Sequence, residues 1–135
     1  MRIPIPDDSD LQDPATIPIK NEEAREQARL VAALRRAWHL LPDEWRPIIA
    51  HVPNGGSRDA REAANLKVQG VLAGFPDLII MLRMGETILI EMKARKGGLS
   101  LSQLALHPNL TALGHEPIVA FSAEEALAAL RGRLR

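Results

Sequence analysis

Cysteine and tyrosine are absent from the 135 residues, and only two tryptophans and two phenylalanines are present. Without cysteine there is no disulfide, zinc-thiolate finger, iron–sulfur cluster or cysteine nucleophile. So few aromatics also argue against modules that read nucleic acid by stacking bases, such as the RNA-recognition motif. Long apolar runs are missing: nothing approaches the roughly 18 residues of a membrane span, and no basic segment leads into an apolar one near Met1. Net charge is missing as well, because 17 Lys and Arg offset 17 Asp and Glu. No global positive field therefore marks a nucleic-acid binder. What remains, 46% hydrophobic and 25% charged residues, is ordinary for a globular protein. The expectation is one cytoplasmic domain, burying roughly two-thirds of its unfolded surface.

The charge is unevenly spread. Asp7, Asp8, Asp10 and Asp13 share residues 1–20 with four prolines, which reads as a loose, flexible acidic lead-in. Residues 21–135 form the domain proper and carry 15 basic and 13 acidic side chains, a net of +2. Lys93, Arg95 and Lys96 make one basic cluster and Arg131, Arg133 and Arg135 another. A solvated face explains each as readily as a contact to nucleic acid.

Asn21 is a good N-cap, and Glu22 and Glu23 follow it at the positive end of a helix dipole. At 100° per residue, Ala24, Ala28, Val31, Leu34, Trp38 and Leu41 fall on one stripe, predicting an amphipathic helix that ends before Pro42. Glu23 and Gln27 project into that stripe, whereas Glu22 and Glu26 point away from it. A carboxylate facing a core needs a partner, unless Glu23, so near the helix start, reaches solvent or caps. Pro47 to Val52 reads as a strand and Pro53-Asn54-Gly55-Gly56 as a turn. Asp59 with Glu62 caps a second helix that runs to about Gln69 and stops at Gly70.

Two apolar runs follow, Asp77 to Leu82 and Thr87 to Ala94, joined across Met84-Gly85. A tight hairpin centred there places Asp77 opposite Met92 or Lys93. Ser100 and Gln103 have capping-box spacing and open a third helix to Gly114, with Pro108 predicting a kink or break near His107. Pro117 to Phe121 is a short strand, and Ser122 with Glu125 is a second capping box before a final Ala- and Leu-rich helix. Helices and strands in this order predict an α/β (α+β) fold, a mixed central sheet flanked by helices.

The chemistry centres on Asp77, Glu91 and Lys93. Strand alternation puts Glu91 and Lys93 on one face, and the hairpin brings Asp77 to them. Two carboxylates so placed repel unless a cation lies between them. Mg²⁺, a hard ion that keeps several waters, suits oxygen ligands. A lysine beside them can address a water or a phosphate oxygen as negative charge develops. Acid, acid and amine around a hydrated metal equip a site for phosphodiester hydrolysis.

The pattern resembles the PD-(D/E)xK nuclease superfamily and, within it, the virus-type replication-repair nuclease (VRR-NUC) family. His51-Val52-Pro53-Asn54-Gly55-Gly56-Ser57-Arg58 is similar to the family's PNGG.R block. Leu66-Lys67 through Gly70, Gly74, Pro76 and Asp77 is similar to LK..G...G.PD. Glu91, Lys93, Gly98-Leu99-Ser100 and Gln103 are similar to E.K...G.LS..Q, and Leu113-Gly114-His115 to L..GH. The resemblance covers roughly residues 22–130. It implies a restriction-endonuclease-like core and a Mg²⁺-dependent endonuclease, with Mn²⁺ substituting, that acts on branched, flapped or four-way DNA in phage or bacterial replication and repair. It also implies, for some members, a homodimer. By position, Asp77 and Glu91 would hold metal, Lys93 would assist the attacking water and Gln103 would support the site. The first-helix glutamate of the family maps onto Glu23, four residues before Gln27, with Glu22 and Glu26 as alternative carboxylates.

Other residues carry less. Asn54, Arg58, Lys67, Arg95 and Lys96 are candidate DNA contacts, although solvated faces explain them equally. His39, His51, His107 and His115 lack metal-ligand spacing and read as structural, with His51 near enough to the presumed cleft for a substrate contact. Asn54-Gly55-Gly56 lacks the G-K-[ST] of a nucleotide-phosphate loop, so no nucleotide cofactor is expected, and no membrane partner either. The competing readings are a nuclease fold that binds nucleic acid without cutting it, and a sequence-specific restriction-type enzyme. The intact Asp77, Glu91 and Lys93 set argues against the first, and the lack of extra sequence for base readout against the second.

Overall fold

The computed structural model describes residues 2–13, 19, 21–53 and 59–134. In chain order the elements are α1 (Glu22–Trp38), β1 (Ile48–His51), α2 (Ala60–Val68), β2 (Leu78–Met81), β3 (Thr87–Met92), α3 (Leu101–Ala112), β4 (Ile118–Ala120) and α4 (Ala123–Arg133). The four strands form one mixed sheet in the order β1-β2-β3-β4. The first three run antiparallel to their neighbours and β4 lies parallel to β3. The β3–β4 connection is therefore a crossover, and α3 supplies it. No helix of the described residues is long and apolar enough to cross a membrane.

Side-chain alternation divides the sheet into two faces. Leu78 and Ile80 of β2 and Ile88, Ile90 and Met92 of β3 join Leu30, Leu34 and Trp38 of α1 and Leu127 and Leu130 of α4 in one core. Burying a side chain of that size contributes roughly 1.5–3 kcal/mol. The intervening residues of β3, Leu89 and Glu91, are buried as well. They occupy the opposite face, where α3 reaches the strand through Gln103. A central strand covered on both sides reads as a continuous apolar run, and a carboxylate set into that run is out of place.

The helix caps follow their sequence signals. The side chains of Asn21, Asp59, Ser100 and Ser122 each accept from a backbone N–H in the first turn of the helix they open. Ser100 and Gln103 form the reciprocal capping box. The second box is only half made, because the Glu125 carboxylate accepts from Phe121 N at 2.8 Å, one residue before the cap. Pro108 sits inside α3 without breaking it, contrary to the expected interruption near His107. A proline removes a single ladder bond, and the helix continues past it to Ala112.

Three further expectations are corrected. The hairpin register pairs Leu78 with Ile90, which brings Asp77 level with Glu91 and not with Met92 or Lys93. The turn is a three-residue loop, Arg83–Gly85, closed by Leu82 N donating to Glu86 O at 2.8 Å. Its centre is Met84, held at φ 67°, so the pairing moves by a residue relative to a two-residue turn. On α1 the buried residues are Leu30, Ala33, Leu34 and Trp38, a stripe rotated by roughly 70° from the sequence reading. Glu26 consequently faces inward: it pairs with Arg29 at 2.9 Å and accepts from Ala123 N, the first residue of α4, at 3.0 Å. Arg29 also pairs with Glu124 at 2.8 Å. Glu22 stays exposed, as its place off the stripe implies, and accepts from Arg95 N at 3.1 Å.

The leading segment is also more attached than its composition suggested. Ile3, Ile5 and Leu11 pack on the core, supplying the apolar contact that prolines and aspartates alone would lack. Trp38 Nε1 donates to Pro4 O, and Arg131 to Pro6 O, both at 2.8 Å.

Because Glu26 satisfies both a guanidinium and a helix N-terminus, Glu26→Gln should cost about 1–3 kcal/mol by weakening charge-assisted bonds around Arg29. Urea unfolding measures this directly. An unchanged midpoint would mean that Arg29 and the start of α4 are held without it.

Candidate active site

The C-terminal end of β3 gathers the acidic residues. Asp77 enters β2 from the loop that carries Gly74, whose φ is 85°. A Cβ on Gly74 would lie 2.5 Å from Ser102 O, so only glycine lets this loop close against the first turn of α3. Pro76 is fully buried. Asp77 is then tied on two sides. Its Oδ2 accepts from Met92 N at 2.9 Å, and its backbone carbonyl accepts from Val52 N at 2.7 Å and His51 Nδ1 at 2.9 Å.

Glu91, opposite Asp77, is only 2% exposed. Gln103 Nε2 donates to its Oε1 at 2.8 Å, so the residue that caps α3 also orients the buried carboxyl. Burial pushes the Glu91 pKa up to about 9, helped by the hydrogen bond with Asp77 and by the negative charges of Asp77 and Glu23, with Lys93 opposing. The two carboxyl groups thus share a proton in preference to carrying two negative charges. Lys93 follows Glu91 by two residues along the strand and so lies on its face. Its backbone N–H continues the parallel ladder to Ala120 O.

Glu23 and Gln27 border a cavity of about 290 Å³ together with His51 and Asp77. Glu23 Oε1 accepts from Ala94 N at 3.0 Å, and Gln27 lies 3.1 Å from His51 Nδ1. A larger hollow of about 630 Å³ between α2 and Phe75 is lined mainly by apolar side chains and holds no titratable group. The reactive groups therefore belong to the smaller cavity and its neighbours.

The expected residues divide into those that meet and those that do not. Asp77, Glu91, Lys93 and Gln103 come together, and Glu23 lies near enough for its charge to act on Glu91. Among the described residues, however, no three His, Asp or Glu side chains converge as a metal cluster. The donor set that fits a hard cation is the Asp77–Glu91 pair, with water completing the shell, while Glu23 is spent on Ala94 N. Lys67 is exposed on α2, and Arg95 and Lys96 are exposed beyond β3. Asn54 and Arg58 lie outside the described residues.

Two histidines hold the loop of Asp77 in place, in keeping with their structural reading. His51 grips the Asp77 backbone. His107 is buried, and a bond to the Gly74 backbone together with its place on α3 ties it to the same loop. The available signal was the Gln103–His107 spacing, four residues on one helical face.

The family model described as the VRR-NUC domain matches residues 15–124. A solved structure titled "VRR_NUC domain protein" is 25% identical, covers 87% of this chain and 93% of its own, and superposes with a TM-score of 0.65. A second, titled "VRR_NUC domain", shares the fold at 17% identity and a TM-score of 0.51, over 82% of this chain and 98% of its own. No curated protein matches.

The raised Glu91 pKa has a consequence for stability. The folded protein holds this proton more tightly than the unfolded chain, whose carboxyl titrates near 4.5. That stabilisation is complete below pH 4.5 and is lost as pH rises towards about 9. Without added divalent cation, stability should therefore fall across this range by at most about 1.4 kcal/mol per pH unit per proton. Glu91→Gln should flatten the dependence in thermal melts at stepped pH. An equal slope in the variant would place the titrating group elsewhere.

Proposed function

The chain belongs to the VRR-NUC nuclease domain family, and on that basis we propose that it is a Mg²⁺-dependent endonuclease hydrolysing phosphodiester bonds in branched, flapped or four-way DNA. The observation that carries this reading is the Asp77–Glu91 pair. A buried carboxyl is set against a second one, oriented by Gln103, at the end of a strand whose own packing needs neither. Such an arrangement opposes full ionisation of the pair unless a cation is bound there.

Asp77 and Glu91 would hold Mg²⁺, with Mn²⁺ as a substitute, through hard oxygen donors. The metal, when bound, would supply Lewis-acid stabilisation of the charge that develops on the phosphate. Gln103 keeps Glu91 Oε1 in place. Lys93, on the Glu91 face, presents a positive charge to the attacking water or to a phosphate oxygen. Glu23 borders the cavity and would contribute acidity or a further contact once its bond to Ala94 N yields. Asn54, Arg58, Lys67, Arg95 and Lys96 are proposed as contacts to the DNA backbone, which orient the duplex without reading its sequence.

A panel of duplex, flap, splayed and four-way DNA, tested with Mg²⁺, Mn²⁺ and EDTA, addresses the proposal. Cleavage should require the cation and favour branched substrates. Asp77→Asn and Glu91→Gln should each abolish cleavage while leaving DNA binding intact. Binding without cleavage by the wild-type protein in every metal would instead support a non-cutting nucleic-acid-binding role. Glu23→Gln should reduce cleavage, with partial recovery at raised Mg²⁺.

Cutting both strands of a four-way junction symmetrically takes two sites in fixed relation, which a C2 homodimer supplies. We propose that assembly for junction substrates. Sedimentation of a monomer at micromolar concentration, with and without junction DNA, would count against it.

A further inference from the structure

The Asp77 carbonyl accepts two hydrogen bonds, and only one of them belongs to the sheet. Val52 N, at 2.7 Å, continues the β1–β2 ladder beyond the His51–Leu78 pair. His51 Nδ1, at 2.9 Å, is a side-chain donor that the ladder does not require. Ile49 and His51 lie on the same face of β1, and Ile49 is buried in the core with Leu30 and Leu34 of α1. His51, at the strand end, meets the same helix nearer its start, where Gln27 Nε2 lies 3.1 Å from Nδ1.

A carbonyl oxygen can only accept, so Nδ1 must carry the proton. That nitrogen cannot then accept from Gln27 as well. The two ends of the Gln27 amide have the same shape, so Oε1 in the place of Nε2 gives Nδ1–H a second acceptor. The opposite tautomer would keep a bond from Gln27 but set a ring lone pair 2.9 Å from a carbonyl lone pair. The ring therefore points its proton at Asp77, with Gln27 beside it.

Asp77 itself has little play. Its Oδ2 is held by Met92 N at 2.9 Å, so the aim of the carboxylate depends on where the Asp77 backbone stands. Glu23 and Gln27, four residues apart on one face of α1, reach the chain on both sides of it. Glu23 fastens Ala94 N after β3, and Gln27 meets His51 at the end of β1.

We propose that His51 is a positioning residue for Asp77: its Nδ1–H, steadied by Gln27, holds the Asp77 backbone at the angle from which the carboxylate meets a divalent cation. The inference rests on the metal-dependent nuclease reading for the cation, and on the hydrogen bonds of His51 for the contact. Removing an outer partner of a metal ligand typically lowers metal affinity or activity by about 10- to 100-fold.

Two substitutions separate positioning from packing. His51→Asn keeps an amide N–H where Nδ1 stood, whereas His51→Gln carries its N–H out to the place of Nε2. Both lose the ring, so a loss of packing alone would fall on them alike. Mn²⁺ titrations followed by electron paramagnetic resonance read the cation site without catalysis. His51→Gln should weaken Mn²⁺ binding by about tenfold, and His51→Asn should keep nearly the wild-type affinity. Gln27→Leu should act in the same direction as His51→Gln, and by less. Equal affinities in His51→Gln and His51→Asn, or Mn²⁺ binding that survives Asp77→Asn, would overturn the proposal. In long-range ¹H–¹⁵N spectra at mildly alkaline pH, His51 should carry its proton on Nδ1. A proton on Nε2 instead would overturn it too. Wild-type protein that binds Mn²⁺ but cuts no DNA would refute the nuclease reading alone, and wild-type protein that binds no Mn²⁺ would refute both.

Discussion

One buried carboxyl organises this molecule. Glu91 occupies a position on the central strand that packing alone would give to a valine or leucine, with apolar neighbours before and after it. Ionising it there costs desolvation and repulsion from Asp77. The surroundings compensate in specific ways: Gln103 donates to it from α3, and Lys93 offsets its charge from two residues along the strand. The elements nearest the site can each be understood by what they do for this group.

The β2–β3 hairpin brings Asp77 level with Glu91, and it does so through the length of its loop. The closure of Gly74 on Ser102 fixes the approach of the Asp77 loop to α3, and Gln103 leaves the same helix turn to meet Glu91. At the other border, α1 contributes Glu22 and Glu23 as acceptors for the backbone of Ala94 and Arg95. These bonds pin the basic stretch after β3 at the mouth of the site. The outcome is a rigid frame of strand ends and helix starts around a polar centre, the kind of support that holds reactive groups in position without a large rearrangement.

Stability and function are consequently in tension at this centre. A carboxyl pair that resists ionisation lowers the stability of the metal-free protein at alkaline pH, and in the proposed reading a bound cation would relieve the same repulsion. Elsewhere the fold is held conventionally. The α1–α4 packing is tightened by the Glu26–Arg29–Glu124 network, and the leading segment is drawn in by Trp38 and Arg131.

Local signals determined much of this by sequence alone. Caps at Asn21, Asp59, Ser100 and Ser122, apolar periodicity, and the spacing of Asp77, Glu91, Lys93 and Gln103 are properties of short stretches, so the element order and the acidic centre were legible from them. Tertiary structure decided the rest. Which stripe of α1 faces inward depends on where α4 and β3 lie, and that turned Glu26 from a residue pointing away from the apolar stripe into a half-buried anchor for Arg29 and the start of α4. The hairpin register depended on whether the turn used two residues or three, a choice settled by the left-handed backbone at Met84.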